Sequence, residues 1–165
     1  MTVPIEDLIL QTEALVAPVR LEYVRGELRW EASPALRHQH TVDTIRATIK
    51  AAAGSGCGCH HYSDVLIRFG TSYKRPDIAI FCLAPPLTDQ ALEVLPQAVI
   101  EIISIGYEEK DVGPTGAPFY LDQGILDVLI FDPRTGQIQH HTAFGTTVHQ
   151  SPTQFTLRTG CTCTI

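Results

Sequence analysis

The sequence predicts an α+β fold with a mixed central sheet flanked by helices, and three observations support this class. Apolar residues recur at helical spacing in two N-terminal segments, and an alternating hairpin pattern lies between them. Two nearly continuous apolar runs, residues 75–82 and 98–104, are typical of strands covered on both faces. No repeat, low-complexity tract or linker interrupts the chain. We therefore expect a single domain over residues 1–165.

In the first third of the chain, the sequence predicts a helix, a β-hairpin and a second helix, in that order. Residues 5–16 form a candidate helix ending before Pro18, and residues 20–32 form two strands that turn at Arg25-Gly26. A second helix begins at Ser33-Pro34, with Ser33 as the N-cap, and ends near residue 53 before Gly54-Ser-Gly56. Its buried stripe consists of Val42, Ile45, Ile49 and Ala52.

The rest of the chain is predicted to be mostly strands. Residues 60–69 alternate in polarity and precede the two buried strands, and residues 105–117 are expected to form a loop. A short helix over 118–123 is followed by another buried strand, 126–132, and by two C-terminal strands around 137–144 and 154–158.

Composition narrows the function classes. With 44% hydrophobic and 18% charged residues, the chain is not of the disordered class. A net charge of −6 argues against a protein that coats nucleic acid non-specifically, because such binding depends on Lys and Arg. No apolar run reaches the ~18 residues of a membrane span, and acids lie where a signal peptide would carry positive charge. We expect a cytoplasmic protein without membrane contact.

Two acids interrupt the buried strands, Asp77 in the first and Glu101 in the second. An unpaired carboxylate in such a strand loses its hydration, so each needs a compensating partner. A shared divalent cation would satisfy both, since Mg²⁺ is typically held by one or two carboxylates plus water. The alternative is that each acid ends a strand and reaches solvent or an arginine.

Several motifs, in order from about residue 20 to 145, resemble one protein family. They include Gly26-Glu27-Leu28, His38-Gln39, Arg75-Pro76-Asp77-Ile78, Val99-Ile-Glu101-Ile-Ile-Ser104, Lys110-Asp111, Phe119-Tyr120-Leu121 and Asp127-Val-Leu-Ile-Phe-Asp132-Pro133. As a set these motifs are similar to the Uma-two family, whose members are assigned as restriction endonucleases. Pro76-Asp77 with Glu101 looks like the Pro-Asp…(Asp/Glu)-x-Lys signature of the wider nuclease superfamily.

The resemblance implies a restriction-endonuclease-like fold and metal-dependent hydrolysis of DNA. Asp77 and Glu101 would hold Mg²⁺ or Mn²⁺, which would activate water and stabilise charge on the phosphate. The signature lysine would fall at position 103, where this chain has Ile103. Lys110 is the candidate for a displaced lysine, and Lys74 is the next one. A homodimer would suit cleavage of both strands, although no residue pattern requires it.

Two further residues are candidates for the catalytic site. Glu27 matches the family Gly-Glu pair and could be a third acid near the metal, or else a simple hairpin-turn acid. His38 lies at the head of the inward-facing helix stripe, where it could face the site. The residues alone favour a hydrogen-bonded core histidine at this position.

The five cysteines do not form a recognised motif. Their odd number in a chain expected to be cytoplasmic argues against a disulfide framework. Cys57, Cys59 and His60 are zinc-type ligands, but zinc sites usually use CxxC, whereas one residue separates each cysteine pair here. Pairing with Cys161 and Cys163 would need the fold to bring the C-terminus alongside. Buried or edge cysteines are the favoured interpretation.

The leading hypothesis is therefore a Mg²⁺-dependent DNA endonuclease. The rival is a degenerate nuclease fold that acts as a non-catalytic binding or regulatory module, which the missing lysine at 103 and the acidic charge favour. A zinc-stapled interaction domain built on the cysteines is the third and weakest hypothesis.

Overall fold

The structure is a computed structural model, and it describes residues 3–15, 19–32 and 34–165. The described part contains four helices and thirteen strands. The helices are α1 (Ile5–Leu15), α2 (Leu36–Arg46), α3 (Glu108–Val112) and α4 (Ala117–Asp122). The strands are β1 (Val19–Val24), β2 (Glu27–Ala32), β3 (Lys50–Ala51), β4 (His60–Tyr62), β5 (Ile67–Phe69), β6 (Ser72–Lys74), β7 (Ile78–Phe81), β8 (Ala98–Ile102), β9 (Asp127–Asp132), β10 (Gln137–Thr142), β11 (Gly145–Gln150), β12 (Gln154–Thr156) and β13 (Cys161–Thr164).

A six-stranded sheet in the order β11-β10-β9-β8-β7-β4 forms the centre of the fold. Strands β8 and β9 are parallel and the other pairs are antiparallel, so the predicted mixed sheet is confirmed. Every residue of β7 and β8 is buried, because apolar clusters cover both faces. This explains why their sequences are continuous apolar runs rather than alternating ones.

Two smaller sheets flank the central one. The hairpin of β1 and β2, which turns at Arg25-Gly26 as predicted, joins β6 and β5 in a four-stranded sheet. Helix α1 packs there through Ile9, its buried residue. Strands β12, β13 and β3 form a C-terminal sheet whose cysteines and Phe155 enter the same core as α2.

The boundaries of the second helix differ from prediction. It begins at Leu36 with Ala35 as N-cap, and the predicted cap Ser33 lies outside the described residues. Val42 and Ile45 are buried as expected, but the helix ends at Arg46 rather than near residue 53. The helix ends early because the residues that follow it enter a sheet, where residues 50–51 pair with β13.

The predicted strand over residues 60–69 is in fact two strands in different sheets. Asp64 adopts a left-handed backbone with φ of 56°, and this bend separates β4 from β5. Within the predicted loop 105–117, residues 108–112 form the short helix α3. The prediction also missed β11 and β13 as separate strands.

The expectation of unpaired cysteines was wrong. Cys57 is paired with Cys82, and Cys59 with Cys161, which leaves Cys163 as the free and buried cysteine. The pairing of β13 with β3 brings the C-terminus next to the loop that carries Cys57 and Cys59. The odd number of cysteines gives no information about which of them the fold brings together.

None of the helices in the described ranges is both long and apolar enough to cross a membrane.

Candidate active site

The antiparallel pairing of β7 and β8 brings Asp77 and Glu101 together. Ile78 is opposite Ile100, so Asp77, immediately before β7, lies beside Glu101 on β8. The backbone N–H of Asp77 donates to Glu101 Oε2 at 3.0 Å, and the N–H of Ile102 donates to Asp77 Oδ2 at 2.7 Å. Each carboxylate is thus anchored on the other acid's strand.

Glu101 is the more deeply buried acid, with no exposed surface. Its Oε1 accepts a hydrogen bond of 2.5 Å from the hydroxyl of Tyr120, which α4 brings over the sheet. Burial, together with the charge of Asp77, raises the pKa of Glu101 to about 7, although the ammonium of Lys110 opposes the rise. Glu101 therefore exchanges its proton near neutral pH.

His38 contacts the other acid from the first turns of α2. Its Nε2 lies 3.0 Å from Asp77 Oδ1, and its Nδ1 lies 2.9 Å from the hydroxyl oxygen of Ser104. A carboxylate can only accept, so Nε2 carries the hydrogen, and the Ser104 hydroxyl donates to Nδ1 when the ring is neutral. Burial lowers the pKa of His38, but the hydrogen bond and charge of Asp77 outweigh this and the net pKa is raised.

The contact with His38, which raises the pKa of the histidine, lowers the pKa of Asp77. Burial alone would raise the pKa of Asp77, but the hydrogen bond from His38, the charge of Lys110 and the Ile102 amide lower it. Asp77 therefore stays ionised while Glu101 titrates near neutrality. Neighbouring acids with divergent pKa values are characteristic of functional sites.

Lys110, on α3, faces this acidic group. Its Nζ lies 3.1 and 3.3 Å from the two carboxylate oxygens of Glu31 on β2. Burial lowers the pKa of Lys110, but the charges of Glu22, Glu101, Asp77 and Asp111 more than reverse this and raise it well above the usual value. Lys110 is thus a permanent cation within the field of both predicted ligands, with Glu31 as its direct partner.

Two further buried ionisable residues, Lys74 and Asp111, lie close to the pair formed by Asp77 and Glu101. Lys74 on β6 has no exposed surface, its Nζ donates to the carbonyl of Thr115 at 2.6 Å, and it lies 4.5 Å from the centre of the Tyr120 ring. Asp111 is buried, and its Oδ1 has no hydrogen-bond partner. Burial and the charge of Glu101 raise the pKa of Asp111 well above its usual value.

Together these groups form a buried cluster that is rich in carboxyl oxygens. The cluster contains five acids, Glu22, Glu31, Asp77, Glu101 and Asp111, against the two lysines Lys74 and Lys110. Burial is the largest cause of the raised pKa values of Glu101 and Asp111, the charge of a neighbouring acid adds to each, and Oδ1 of Asp111 has no hydrogen-bond partner. Oxygen ligands of this kind fit Mg²⁺ or Mn²⁺. In the part of the chain that the structure describes, however, no three His, Asp or Glu ligand atoms of this cluster converge within 4.8 Å of one another.

A cleft of about 800 Å³ opens above Asp77. Beside Asp77, its lining includes His38, Glu31 and Ser104, together with the three arginines Arg20, Arg37 and Arg134. Arginine guanidinium groups are well suited to phosphate oxygens. The lining also includes the acids Asp43 and Asp64, and Asp64 pairs with Arg20, so the cleft carries charges of both signs.

Four of the five residues predicted for the site converge here, namely Asp77, Glu101, Lys110 and His38. Glu27 does not join them, because its carboxylate pairs with Arg29 at 3.0 Å and its side chain is 69% exposed. This position matches the hairpin-turn alternative. Sequence reasoning missed Glu22, Glu31, Asp111 and Tyr120, whereas Lys74 was already the second candidate for the displaced lysine. Only Asp111 and Tyr120 had a signal, since both lie in motifs that resemble the family.

Comparisons with known proteins identify the family to which the chain belongs. Residues 6–158 match the family model Uma2, described as "Putative restriction endonuclease". A solved structure titled as a "putative nuclease belonging to DUF820" from Anabaena variabilis is similar in fold, with a TM-score of 0.61 and 18% identity over 87% of this chain and 85% of that one. No curated protein matches the sequence. The family model spans nearly all of the chain, and the protein therefore belongs to the Uma2 restriction endonuclease family.

Proposed function

We propose that this protein is a divalent-metal-dependent DNA endonuclease in which Asp77 and Glu101 hold Mg²⁺ or Mn²⁺. The observation that carries the proposal is the interlocked carboxylate pair beside a cleft bordered by arginines. Membership of the Uma2 family supports the nuclease class and, with it, a nucleic-acid substrate.

The ion would supply a nucleophile at neutral pH and neutralise charge that develops on the phosphate. The role of the protein residues would be to hold the metal ligands in place and in the required charge state. Asp77 is ionised and borders the cleft, whereas Glu101 lies behind it with a pKa of about 7. Because both carboxylates are held by backbone amides, their positions are set before a ligand arrives.

His38 acts as a positioning residue in this scheme. Its Nε2–H fixes the orientation of Asp77, and Ser104 fixes the ring from the other side. The chain of Ser104, His38 and Asp77 lines the cleft and can also exchange protons with it, and the contact with Asp77 raises the pKa of His38.

The missing signature lysine is the main argument against turnover. Ile103, at the signature position, packs against the apolar core and cannot contribute charge. Lys110 is the proposed replacement, because its ammonium lies among the acids and affects the pKa values of both Asp77 and Glu101. Lys74 adds a second positive charge, which lowers the pKa of Glu101.

The arginines would bind the DNA backbone. Arg20 pairs with Asp64, and Arg134 with Asp132 and Glu108, and these bridges are at least partly exposed. Exposed pairs contribute little stability, so phosphate groups can replace the carboxylates at small cost. Contacts of this kind position DNA without reading its sequence.

The test is cleavage of supercoiled plasmid with Mg²⁺ or Mn²⁺. The Asp77→Asn variant keeps the shape of the side chain and removes a charged ligand, so it should abolish nicking while the protein stays folded. Asp122→Asn is the matched control, because Asp122 pairs with Arg25 and is 64% exposed. Equal rates for wild type and Asp77→Asn would place the activity elsewhere.

The same assay addresses the rival function and the predicted homodimer. No cleavage by the wild type with either metal would favour the non-catalytic binding module, for which Ile103 is the supporting observation. Linear product that forms without a nicked intermediate would support paired active sites in a homodimer.

A further inference from the structure

The five cysteines of the chain come from three separate segments of the sequence and meet in one core. Cys57 and Cys59 lie in the loop between β3 and β4, and Cys82 directly follows β7. Cys161 and Cys163 are on β13. Since Asp77 precedes β7 and Cys82 follows it, this core lies at the opposite end of the strand from the carboxylate site.

Three of these sulfurs converge on one point, and a fourth is bonded to one of the three. The Sγ atoms of Cys57, Cys59 and Cys161 all lie within 4.8 Å of one another, and the Sγ atoms of Cys57 and Cys161 are 3.5 Å apart. Cys82 is the fourth member, because it is the disulfide partner of Cys57. We call Cys57, Cys59, Cys82 and Cys161 the four-cysteine cluster.

The loop that carries the first two cysteines is held in an unusual conformation. The N–H of Gly58 donates to the carbonyl of Cys82 at 2.9 Å, which fixes the loop against the end of β7. A Cβ at Gly58 would lie 2.5 Å from His60 Nε2, so a side chain there would force the ring to move. Cys59 has a φ of 49°, a left-handed conformation that is unfavourable for a residue with a side chain. This backbone turns both sulfurs of a Cys-x-Cys segment toward the same point.

We propose that the four-cysteine cluster, in its thiol form, binds one thiophilic divalent cation of the Zn²⁺ class. Zinc bonds thiolate sulfur at about 2.3 Å, so four ligands in a tetrahedron lie roughly 3.8 Å from one another. The separation of 3.5 Å between Cys57 and Cys161 is close to this value, and the sulfurs of each disulfide would move apart to reach it. Among the described residues, no other three Cys, His, Asp or Glu ligand atoms converge as closely.

The metal form and the disulfide form exclude each other, because they use the same four sulfurs. Each disulfide takes up two electrons and two protons from a thiol or phosphine reductant and becomes two thiols. Binding of the cation then releases the four thiol protons and gives four metal–thiolate bonds. The two disulfides are thus the oxidised, metal-free form of the site.

The test uses Co²⁺ as a spectroscopic substitute for Zn²⁺. The full chain is reduced anaerobically, the reductant is removed, and Co²⁺ is added. We expect a thiolate-to-cobalt charge-transfer band in the near ultraviolet that saturates at one equivalent and disappears on addition of Zn²⁺. The oxidised protein should give no band. Carboxylates produce no such band, so the Asp77→Asn variant should behave like the wild type whether or not the protein is a nuclease.

Two cysteine variants test which sulfur atoms bind the ion. Cys57→Ala should abolish the band, whereas Cys163→Ser should retain it, because Cys163 lies outside the four-cysteine cluster. Reduced wild-type protein that stays folded by circular dichroism and gives no band would overturn the proposal. An undiminished band in Cys57→Ala would do the same.

Discussion

The replacement of Glu101 by glutamine should make the protein more stable at alkaline pH. Glu101 has no exposed surface, and burial raises its pKa from 4.5 to about 7. A raised carboxyl pKa contributes stability that is fully present below pH 4.5 and is lost as the pH rises through 7. The pKa difference corresponds to about 3 kcal/mol, since each factor of ten in proton affinity is worth about 1.4 kcal/mol.

Glutamine removes this loss without breaking the local hydrogen bonds. Its amide oxygen can accept from the N–H of Asp77, and its amide nitrogen can donate to the hydroxyl oxygen of Tyr120. Between pH 4 and pH 8, the unfolding free energy of the wild type should therefore fall by about 3 kcal/mol more than that of Glu101→Gln. The raised pKa of His38 contributes to both proteins. The charge of Glu101 is one cause of the raised pKa of Asp111, so the pH-dependent loss from Asp111 is also smaller in Glu101→Gln, which adds to the same difference.

Urea denaturation at a series of pH values, with a chelator present, measures this difference. Glu93→Gln is the control, because Glu93 pairs with Arg68 at the surface and is 77% exposed. Its curve should follow that of the wild type. Parallel pH curves for wild type and Glu101→Gln would refute the argument that Glu101 is buried as an acid with a pKa near 7.

Two further predictions concern the neighbours of the pair. Lys110→Ala should reduce plasmid cleavage by about tenfold or more, because it removes a fixed positive charge beside Asp77 and Glu101. An unchanged cleavage rate, with folding verified by circular dichroism, would exclude Lys110 as the displaced lysine. For the wild type, the cleavage rate should rise with pH as Glu101 and His38 lose their protons, and in His38→Gln only the limb that comes from Glu101 should remain. The same pH profile in both proteins would show that His38 does not titrate in the reaction.

Much of the fold could be predicted from the sequence because its signals are local. The apolar runs of β7, β8 and β9 and the turn at Arg25-Gly26 were correctly located. The errors came from long-range pairing. No local pattern shows that residues 50–51 join β13, or that the bend at Asp64 sends two halves of one alternating segment into different sheets.

The candidate site was predictable only in part, for the same reason. Asp77 and Glu101 are conspicuous as acids within apolar strands, and their proximity follows from the pairing of those strands. Glu22 and Glu31 look like ordinary hairpin acids in the sequence. They become site residues because β1 and β2 lie against α3, where Lys110 pairs with Glu31. The cysteine core likewise depends on β13 lying beside β3.

Proton release on Mn²⁺ binding tests the central claim most directly, because a protonated carboxyl must ionise before it can bind a metal ion. With a pKa near 7 for Glu101, binding at pH 7 should release about half a proton per ion, and almost none at pH 9. Calorimetry in two buffers of different ionisation enthalpy measures this number, with the protein kept oxidised so that its disulfides stay closed. The account predicts this release for the wild type and none for Glu101→Gln. Mn²⁺ binding without proton exchange at pH 7, or binding of equal affinity to Asp77→Asn, would contradict it.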